Sequence, residues 1–331
     1  MPKQIGITET YDPCFVPDWE TKLLDANIII TKELNDEMIE KLLIVQNRVI
    51  LHHTVTGQGG TILEPNVPTV EHEFEQFKKL LERGFPYTHY VLRLDPIILL
   101  SKETQDNVVK VLDLWSSVAK TYKNSIRCRI SVVDMYPHVK ERLEKAGIKV
   151  FYDTFTAPDA VFRRIEKLIT PYVNTHENPG FFFESCAERK LNWFMVEPIG
   201  CASTKDLELL GIESLDRFEY NSPAKKQRSD CQCLAKKQIL GVKPGRCPHN
   251  CLYCFWKDSQ PTTPEPTLKG VVTGVSYDSK TGERTVKTIS PEEHAANEQY
   301  RKEHESENVH TDPKYRKGDM HGNWMKTVYG Q

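Results

Sequence analysis

The fold is decided by residues 48–99, where RVILHHTVTG (48–57) is followed by TVEHEFEQFKKLLERG (69–84) and then by HYVLRLDPIIL (89–99). The first and last segments are rich in β-branched residues and are bounded by turn residues, which predicts strands. The middle segment predicts a helix, because its apolar residues recur three or four positions apart and it ends on a glycine. These residues are Val70, Phe74, Phe77, Leu81 and Gly84. A strand–helix–strand unit of this kind predicts two neighbouring parallel strands.

The same alternation continues on both sides of this unit. Further strand-like runs are QIGIT (4–8), ANIIITKE (26–33), RCRISVVDM (127–135), KVFYDTF (149–155), GFFFES (180–185), NWFMVEP (192–198) and QILGVK (238–243). Further helical patterns are NDEMIEKLLIVQ (35–46), SKETQDNVVKVLDLWSSVAKTY (101–122), YPHVKERLEKAG (136–147) and APDAVFRRIEKLI (157–169). This rhythm predicts an α/β fold with a largely parallel sheet, and the number of strands favours a (β/α) barrel-like arrangement, complete or partial. An open doubly wound sheet is the alternative.

Composition and charge exclude several classes of protein. The chain has 331 residues, 27% of them charged, and a formal net charge of −2, so no overall charge attracts it to nucleic acid or membranes. No apolar run approaches the roughly 18 residues that span a bilayer, and the N-terminus lacks a signal-peptide pattern. We therefore expect a cytoplasmic protein with no membrane contact. Its nine cysteines then indicate metal binding or chemistry before disulfides.

The character of the sequence divides the chain in two. Residues 1–256 carry the strand and helix patterns, and residues 257–331 are predicted to form a polar, partly mobile extension. Within the extension, SQPTTPEPTLKG (259–270) is typical of a linker, and VVTGVSYDSKTGERTVKTIS (271–290) predicts a β-hairpin. SPEEHAANEQYRKEHES (290–306) begins with a capping box and predicts a short helix.

Three cysteines form the pattern C-x3-C-x2-C within GRCPHNCLYC (245–254). Cys247, Cys251 and Cys254 offer three thiolates from one tight loop, whereas zinc sites are usually built from paired C-x2-C knuckles. Three thiolates suit three irons of a four-iron four-sulfur (4Fe-4S) cluster and leave the fourth iron for another ligand. The motif resembles that of radical SAM enzymes, in which S-adenosylmethionine takes this position and is cleaved to a 5′-deoxyadenosyl radical. Tyr253, an aromatic residue before the third cysteine, is also usual in those enzymes.

The strand QILGVK (238–243) ends just before this loop, so a cluster would lie at the carboxyl end of a strand, where barrel enzymes build active sites. The alternative is a zinc site formed by Cys231, Cys233 and either two cysteines of the triad or His249. Cys231 and Cys233 are otherwise interpreted as ligands of a second metal, as support for the first cluster, or as packing residues. The remaining cysteines are interpreted as core or near-core thiols. They are Cys14, Cys128, Cys186 and Cys201.

Polar residues near the ends of other predicted strands are candidates for binding S-adenosylmethionine. Arg93 and Asp95 share one face of a strand, and Arg93 would hold the methionine carboxylate. Asp95, Asp134 and Glu188 would bind the amino group or the ribose hydroxyls, and Tyr253 would also contact the cofactor. The alternative is that the acidic residues cap helices. Further strand-end residues are His52, His53, Thr56 and Glu184.

Two further loops are each open to two interpretations. TGQGGTILEPNVP (56–68) lacks the P-loop and dinucleotide-binding patterns, and we expect either a loop at the mouth that contacts the cofactor through Glu64 and Asn66 or a plain connection. SPAKKQRSD (222–230) is basic and precedes the cysteines. It is interpreted either as a patch that attracts an anionic substrate, including a nucleotide or nucleic acid, or as a solvated loop.

Several motifs, in order, resemble the domain-of-unknown-function family DUF1848, noted for a C-terminal cysteine cluster similar to the N-terminal one of radical SAM proteins. The resemblance extends from about residue 5 to Trp256. It implies a class of cofactor and leaves the substrate open. The motifs are TGQGGTILEPNVPTVEHEFEQFKKL (56–80), LRLDPIIL (92–99), RISVVDMYPHVKERL (129–143), SCAERK (185–190), CQCL (231–234) and GRCPHNCLYC (245–254).

The sequence departs from the radical SAM pattern in the position of the triad. Radical SAM domains carry the triad after their first strand, whereas here it follows the last predicted strand. In a closed barrel these two strands are neighbours, so a circular permutation would restore the geometry. This chain also continues past the triad to residue 331, whereas the family usually ends soon after it.

We therefore predict a radical SAM enzyme with one 4Fe-4S cluster, S-adenosylmethionine and an external electron donor. It would abstract hydrogen from a small-molecule or nucleotide substrate, with a nucleic acid as a further option. The alternatives are a non-catalytic iron–sulfur or zinc protein that binds nucleic acid, and an electron-transfer module.

Overall fold

A computed structural model of the chain describes residues 5–150, 152, 154–186, 188–191, 195–212, 232–234, 237–240, 247–255, 271–277 and 284–289. The strands are β1 Ile5–Ile7, β2 Ala26–Thr31, β3 Val49–Thr54, β4 Tyr90–Ile97, β5 Ile126–Val132, β6 Phe181–Ser185, β7 Val196–Pro198, β8 Lys237–Ile239, β9 Val271–Tyr277 and β10 Arg284–Ile289. The α-helices are α1 Asp36–Val45, α2 Val70–Glu82, α3 Lys102–Tyr122, α4 Pro137–Lys145, α5 Asp159–Ile169 and α6 Thr204–Leu209.

Capping residues explain where the first three helices begin. The Asn35 side chain accepts from the Met38 amide before α1, and the Thr69 side chain accepts from the His72 amide before α2. Ser101 forms a reciprocal capping box with the third residue of α3. Each cap satisfies an amide that has no partner within the helix. The sequence-predicted boundaries of these helices are therefore correct to within a residue or two.

Eight strands form one parallel sheet in the order β7-β6-β5-β4-β3-β2-β1-β8. From β1 to β7, strands that are consecutive in the chain are also neighbours in the sheet, so each new strand is added on the same side. A doubly wound sheet would reverse direction partway, and this sheet instead has the order of a barrel wall. The α/β class with a parallel sheet is confirmed, and the strand order is consistent with the predicted barrel-like form.

The last strand of the sheet lies beside the first. β8 pairs with β1 in parallel, with Ile7 opposite Ile239. The prediction that the last strand lies next to the first is therefore confirmed. β7 and β8 are the two edge strands, and within the described residues they do not pair with each other.

The two faces of the sheet carry separate hydrophobic cores. Leu51 and Leu92 belong to the core shared with α1, α2, α3 and α5, whereas Ile50 and Val91 belong to the core on the opposite face. This division follows from the alternation of side chains along each strand. We call the second face the inner face, because right-handed crossovers put the helices on the other one.

The segment after β7 crosses the inner face and connects the two edges of the sheet. The Leu234 amide, just before β8, donates to the Ala202 carbonyl at 2.9 Å. α6, which begins shortly after Ala202, buries Leu207 in the inner core. The sequence patterns did not predict α6, because a helix of 6 residues is too short to show a helical period.

One predicted strand is wrong. No described residue of 149–155 lies in a strand, although this segment resembles one in composition. The Tyr152 hydroxyl donates to the Val133 carbonyl at 2.6 Å, and the Met135 amide donates to the Phe155 carbonyl at 2.8 Å. The segment therefore packs across the end of β5, and its apolar residues join a third core with α4.

The C-terminal part contains one described pair of strands. β9 and β10 pair antiparallel, with Val275 opposite Val286. The linker at 259–270 and the helix at 290–306 lie outside the described residues, and the division at residue 256 stays a prediction. In the described part of the chain, no helix is long and apolar enough to span a bilayer.

Candidate metal centres

The cysteine loop, residues 247–255, lies at the carboxyl end of the parallel sheet. Its Leu252 amide donates to the Leu63 carbonyl at 2.9 Å. The Asn66 side chain donates to the carbonyl of Pro248 at 2.6 Å. Leu63 and Asn66 belong to the long loop after β3, so this glycine-rich loop holds the cysteine loop in place.

α4 holds the other side of the cysteine loop. The Arg142 guanidinium donates to the carbonyl of Leu252 at 2.9 Å and also to that of Cys254. The Tyr136 and Phe255 rings stack with centroids 5.6 Å apart. Contacts from the β3 loop and from α4 therefore fix the backbone of the loop on two sides.

Tyr253 lies at the centre of a buried hydrogen-bond group. The Lys32 ammonium donates to the Tyr253 hydroxyl at 2.8 Å and to Glu64 at 2.6 Å, and the Tyr253 hydroxyl donates to Glu64. Glu64 is only 1% exposed and also accepts from Thr56 at 2.8 Å. Glu64 and Asn66 were predicted to contact a cofactor. Their side chains instead form hydrogen bonds with the cysteine loop.

His249 ties the cysteine loop to the segment after β1. Its Nε2 lies 2.9 Å from the Asp12 carboxylate, and Asp12 also accepts from Thr31 and from the Lys32 amide. Burial alone would lower the pKa of His249, but the hydrogen bond and charge of Asp12 outweigh it and raise this pKa. Cys14 completes a set of three ligand-type side chains here. Because the Asp12 oxygens already accept several hydrogen bonds, the set is explained as an anchor of the loop.

The triad thiols interact with one another but are not gathered around one point. Cys247, Cys251 and Cys254 interact electrostatically. Among the described residues, two sets of three side chains bring their ligand atoms within 4.8 Å of one another, and neither set is the triad. Burial raises the pKa of Cys247 to about 12, helped by the charge of Asp12, and raises that of Cys251 well above its usual value. Buried thiols of this kind become thiolates when a metal supplies positive charge.

A second thiol group lies where the connection after β7 contacts the segment before β8. It consists of Cys186 after β6, Cys201 after β7 and Cys233 before β8, all with sulfurs within 4.8 Å of one another. The Cys186 and Cys233 sulfurs are 3.8 Å apart, and the Cys201 amide donates to the Cys233 sulfur at 3.1 Å. We call these residues the edge thiols. The interpretation of Cys186 and Cys201 as packing residues missed this group, because its members are far apart in sequence.

Arg93 and Asp95 form an ion pair on β4. Burial would lower the pKa of Arg93, and the charges of Asp95 and Cys201 raise it. Asp95 also accepts from the Ser131 hydroxyl on β5. The two residues predicted to share a face therefore contact each other near the edge thiols, and their role toward a cofactor stays a prediction.

Asp134 and Glu188 follow β5 and β6, respectively, in the chain. Glu188 is 8% exposed, and its carboxylate accepts from the Val132 amide at 3.3 Å. Burial raises the pKa of Tyr152, and the charges of Asp134 and Glu188 raise it further. Both carboxylates thus act electrostatically on Tyr152, and their predicted contact with S-adenosylmethionine is untested.

A buried ion network fills the inner face between β5, β6 and α6. Glu184 pairs with Arg127 and Arg129 at 2.8 Å each, and Arg127 also pairs with Asp206 at 2.8 Å. Burial would raise the pKa of Glu184, but the two guanidinium groups lower it to about 2. This network crosses the sheet beside the edge thiols, because Arg129 also donates to the Gly200 carbonyl at 2.6 Å.

The zinc alternative combined Cys231 and Cys233 with triad cysteines or His249. In the described part of the chain, Cys233 lies with Cys186 and Cys201, and His249 lies with Asp12. These positions do not support the alternative, and it stays a prediction. Cys231 and the basic segment 222–230 lie outside the described residues, so their predicted roles stay open.

Comparison with known proteins gives one family. The model of the domain of unknown function DUF1848 matches residues 16–256, which include the triad and the edge thiols. No curated protein and no solved structure matches the chain. The match covers more than half of the 331 residues and confirms the resemblance drawn from the motifs. The chain belongs to the DUF1848 family.

Proposed function

We propose that Cys247, Cys251 and Cys254 bind a 4Fe-4S cluster with one iron open to S-adenosylmethionine, and that the protein is a radical SAM enzyme. The observation that carries this proposal is the position of the cysteine loop. It lies at the carboxyl end of a parallel sheet, held by the β3 loop and by α4. Enzymes with parallel barrel-like sheets build their active sites at this end.

The donor set fits a cluster better than a single ion. A cubane cluster distributes its cysteines over different iron atoms, so their sulfurs stand farther apart than the ligands of one ion. The triad sulfurs interact electrostatically but are not gathered within 4.8 Å, in contrast to the edge thiols. Lys32 also interacts with Cys251 and supplies positive charge beside the thiols.

The strand order supports the same proposal. β8, which leads toward the triad, pairs with β1 and thus occupies the position of a strand that precedes the first one. A loop after β8 reaches the same mouth as a loop after β1. This arrangement is consistent with a circularly permuted relative of radical SAM domains, in which the triad follows the first strand.

The chain's own residues have distinct roles in this proposal. Tyr253 and His249 fix the loop through Glu64 and Asp12, so that the thiols keep their positions while the site turns over. Arg93 on the inner face is our candidate for the carboxylate of S-adenosylmethionine. When bound, the cluster would supply the electron that cleaves the cofactor to methionine and a 5′-deoxyadenosyl radical, which abstracts hydrogen from the substrate.

The test is S-adenosylmethionine cleavage by the full-length chain. The protein is reconstituted anaerobically with iron and sulfide, reduced with dithionite, and assayed for 5′-deoxyadenosine by mass spectrometry. We expect a brown protein with about four cluster irons that forms 5′-deoxyadenosine. Cys128→Ala is the matched control, because this cysteine is fully buried in the core next to the helices and belongs to neither thiol group.

Two results would contradict the proposal. One is a reconstituted cluster that yields no 5′-deoxyadenosine under these conditions. The other is unchanged product formation by Cys254→Ala, since that variant removes a proposed ligand. Tight zinc with no iron at the triad would instead favour a non-catalytic protein.

A further inference from the structure

The edge thiols have the spacing of ligands to a single metal ion. A tetrahedral zinc ion binds thiolates at about 2.3 Å, which puts neighbouring sulfurs about 3.8 Å apart. The Cys186 and Cys233 sulfurs are 3.8 Å apart, and all three sulfurs of the group lie within 4.8 Å of one another. This distance is too long for a disulfide between Cys186 and Cys233, which needs about 2.05 Å.

We propose that Cys186, Cys201 and Cys233 bind one zinc ion that ties together the open edges of the parallel sheet. The three residues come from three separate connections, after β6, after β7 and before β8. One ion would therefore join both edge strands, which do not pair with each other within the described residues. The three thiolates leave one tetrahedral position for water, a substrate atom or a further side chain.

The backbone around the edge thiols is built to bring them together. A Cβ atom on Gly200 would lie 2.5 Å from the Gln232 carbonyl oxygen and 2.6 Å from the Cys233 backbone nitrogen. Only glycine permits this approach without a backbone shift. The Leu234 amide also donates to the Ala202 carbonyl, so backbone contacts on both sides hold Cys201 against Cys233.

Three cationic side chains lie beside the edge thiols. Arg93 and Arg129 interact electrostatically with Cys201, and Lys237 interacts with Cys233. A zinc ion with three thiolates carries a net charge of −1, which these cations would stabilise. The inner face therefore provides both the ligands and the counter-charge for a metal–thiolate site.

A buried histidine nearby provides an independent sign of a ligand that is not part of the chain. His52 is 0% exposed, and neither of its ring nitrogens has a hydrogen-bond partner in the described part of the protein. Burial lowers its pKa well below the usual value, and the charges of Arg129 and Arg93 lower it further, so the ring is neutral. It faces the inner side like Ile50, two residues earlier, and interacts with Cys233. Buried polar atoms of this kind are usually satisfied by water or by a bound ligand.

The experiment measures zinc and iron separately in the full-length chain. Protein purified under reducing, anaerobic conditions is analysed by inductively coupled plasma mass spectrometry. We expect about one zinc ion per chain in the wild type, in Cys128→Ala and in Cys251→Ala. Zinc should be lost in Cys201→Ser, which should retain iron at the triad. The zinc site and the proposed iron–sulfur site can thus fail independently.

A titration keeps the test valid if a variant folds poorly. Metal-depleted Cys251→Ala chain, in which the triad is incomplete, is titrated with cobalt(II), which replaces zinc in tetrahedral thiolate sites and gives intense sulfur-to-cobalt absorption. We expect saturation at one equivalent, and no such absorption when Cys201→Ser or Cys233→Ser is added to this variant and the protein remains folded.

Three results would overturn the proposal. Zinc content that is unchanged in both serine variants would place the metal elsewhere. Iron and sulfide lost together with Cys201 would indicate a second cluster. A disulfide within the group in the anaerobically reduced protein would show a redox pair instead of a metal site.

Discussion

The triad loop and the edge thiols present the same ligand, cysteine sulfur, in two opposite constructions. The triad comes from one loop of residues 247–255, and separate contacts from the β3 loop and α4 hold that loop in place. The edge thiols come from three connections that meet only because the strands bring them together. The first group keeps its sulfurs apart, and the second gathers them within 4.8 Å.

The comparison shows how the place of a cysteine in the sheet determines the kind of site to which it can contribute. A loop at the carboxyl end of the sheet is open to cofactor and substrate, which suits catalysis. A group that bridges β7 and β8 occupies the point where the sheet lacks a hydrogen-bonded pair. We therefore propose chemistry at the triad loop and closure of the sheet at the edge thiols.

Cys251→Ala gives the largest expected effect and separates the two groups. Removal of this buried, proposed ligand should abolish cluster assembly, so that iron and acid-labile sulfide fall to background after reconstitution. Zinc at the edge thiols should stay at the wild-type level. A variant with wild-type iron content would contradict the assignment of Cys251 as a ligand.

Glu184→Gln should cause the largest loss of stability. It leaves Arg127 and Arg129 buried with one fewer carboxylate, and breaking a buried ion pair costs about 3–5 kcal/mol. The free energy of unfolding, measured by urea denaturation, should fall by about this amount. Glu177→Gln, an exposed control, should change it by less than about 0.5 kcal/mol. Equal stability of the two variants would mean that the network does not support the inner face.

Gly200→Ala should act on the edge thiols and spare the triad. The new Cβ would clash with the backbone around Cys233, and a forced shift of this kind costs about 1–3 kcal/mol. We expect a lower melting temperature and weaker zinc binding, with unchanged iron after reconstitution. Gly180→Ala is the matched control, since a Cβ there would lie 2.4 Å from the Tyr172 carbonyl oxygen, at the opposite end of β6 from Cys186, and should lower the melting temperature without weakening zinc binding. Wild-type zinc affinity in Gly200→Ala would contradict the proposed role of the close approach.

Tyr253→Phe should have the smallest effect. It removes one hydroxyl from a buried group, while Lys32 and Glu64 remain paired, so the cost is about 1 kcal/mol. Urea denaturation should detect this loss, and iron content should stay unchanged. Tyr122→Phe, on a half-exposed ring, is the control. Complete loss of iron would mean that Tyr253 does more than anchor the loop.

Much of the fold follows from local patterns in the sequence. Helix α3 begins at a Ser–Thr capping box and repeats apolar residues at helical spacing, so its bounds follow from its composition. Residues 149–155 show the limit of that approach. They have strand composition, but the sheet has its eight strands without them, and they pack across the end of β5 instead.

The two thiol groups differ in how far the sequence reveals them. The triad is visible because its cysteines lie within eight positions of one another, which makes the spacing itself informative. Cys186, Cys201 and Cys233 are separated in the chain by β7 and α6, so only the sheet order brings them together. The anchors Asp12 and Lys32 were missed for the same reason, since they act on the cysteine loop across more than 200 residues.

The most direct test of the central claim is electron paramagnetic resonance of the reduced, reconstituted full-length protein with and without S-adenosylmethionine. If the triad holds a cluster with one open iron, the cofactor binds that iron and the signal of the reduced cluster changes. The account predicts this change in the wild type and in Cys201→Ser, and no cluster signal in Cys251→Ala. A reduced cluster whose spectrum is the same with and without S-adenosylmethionine would contradict the account.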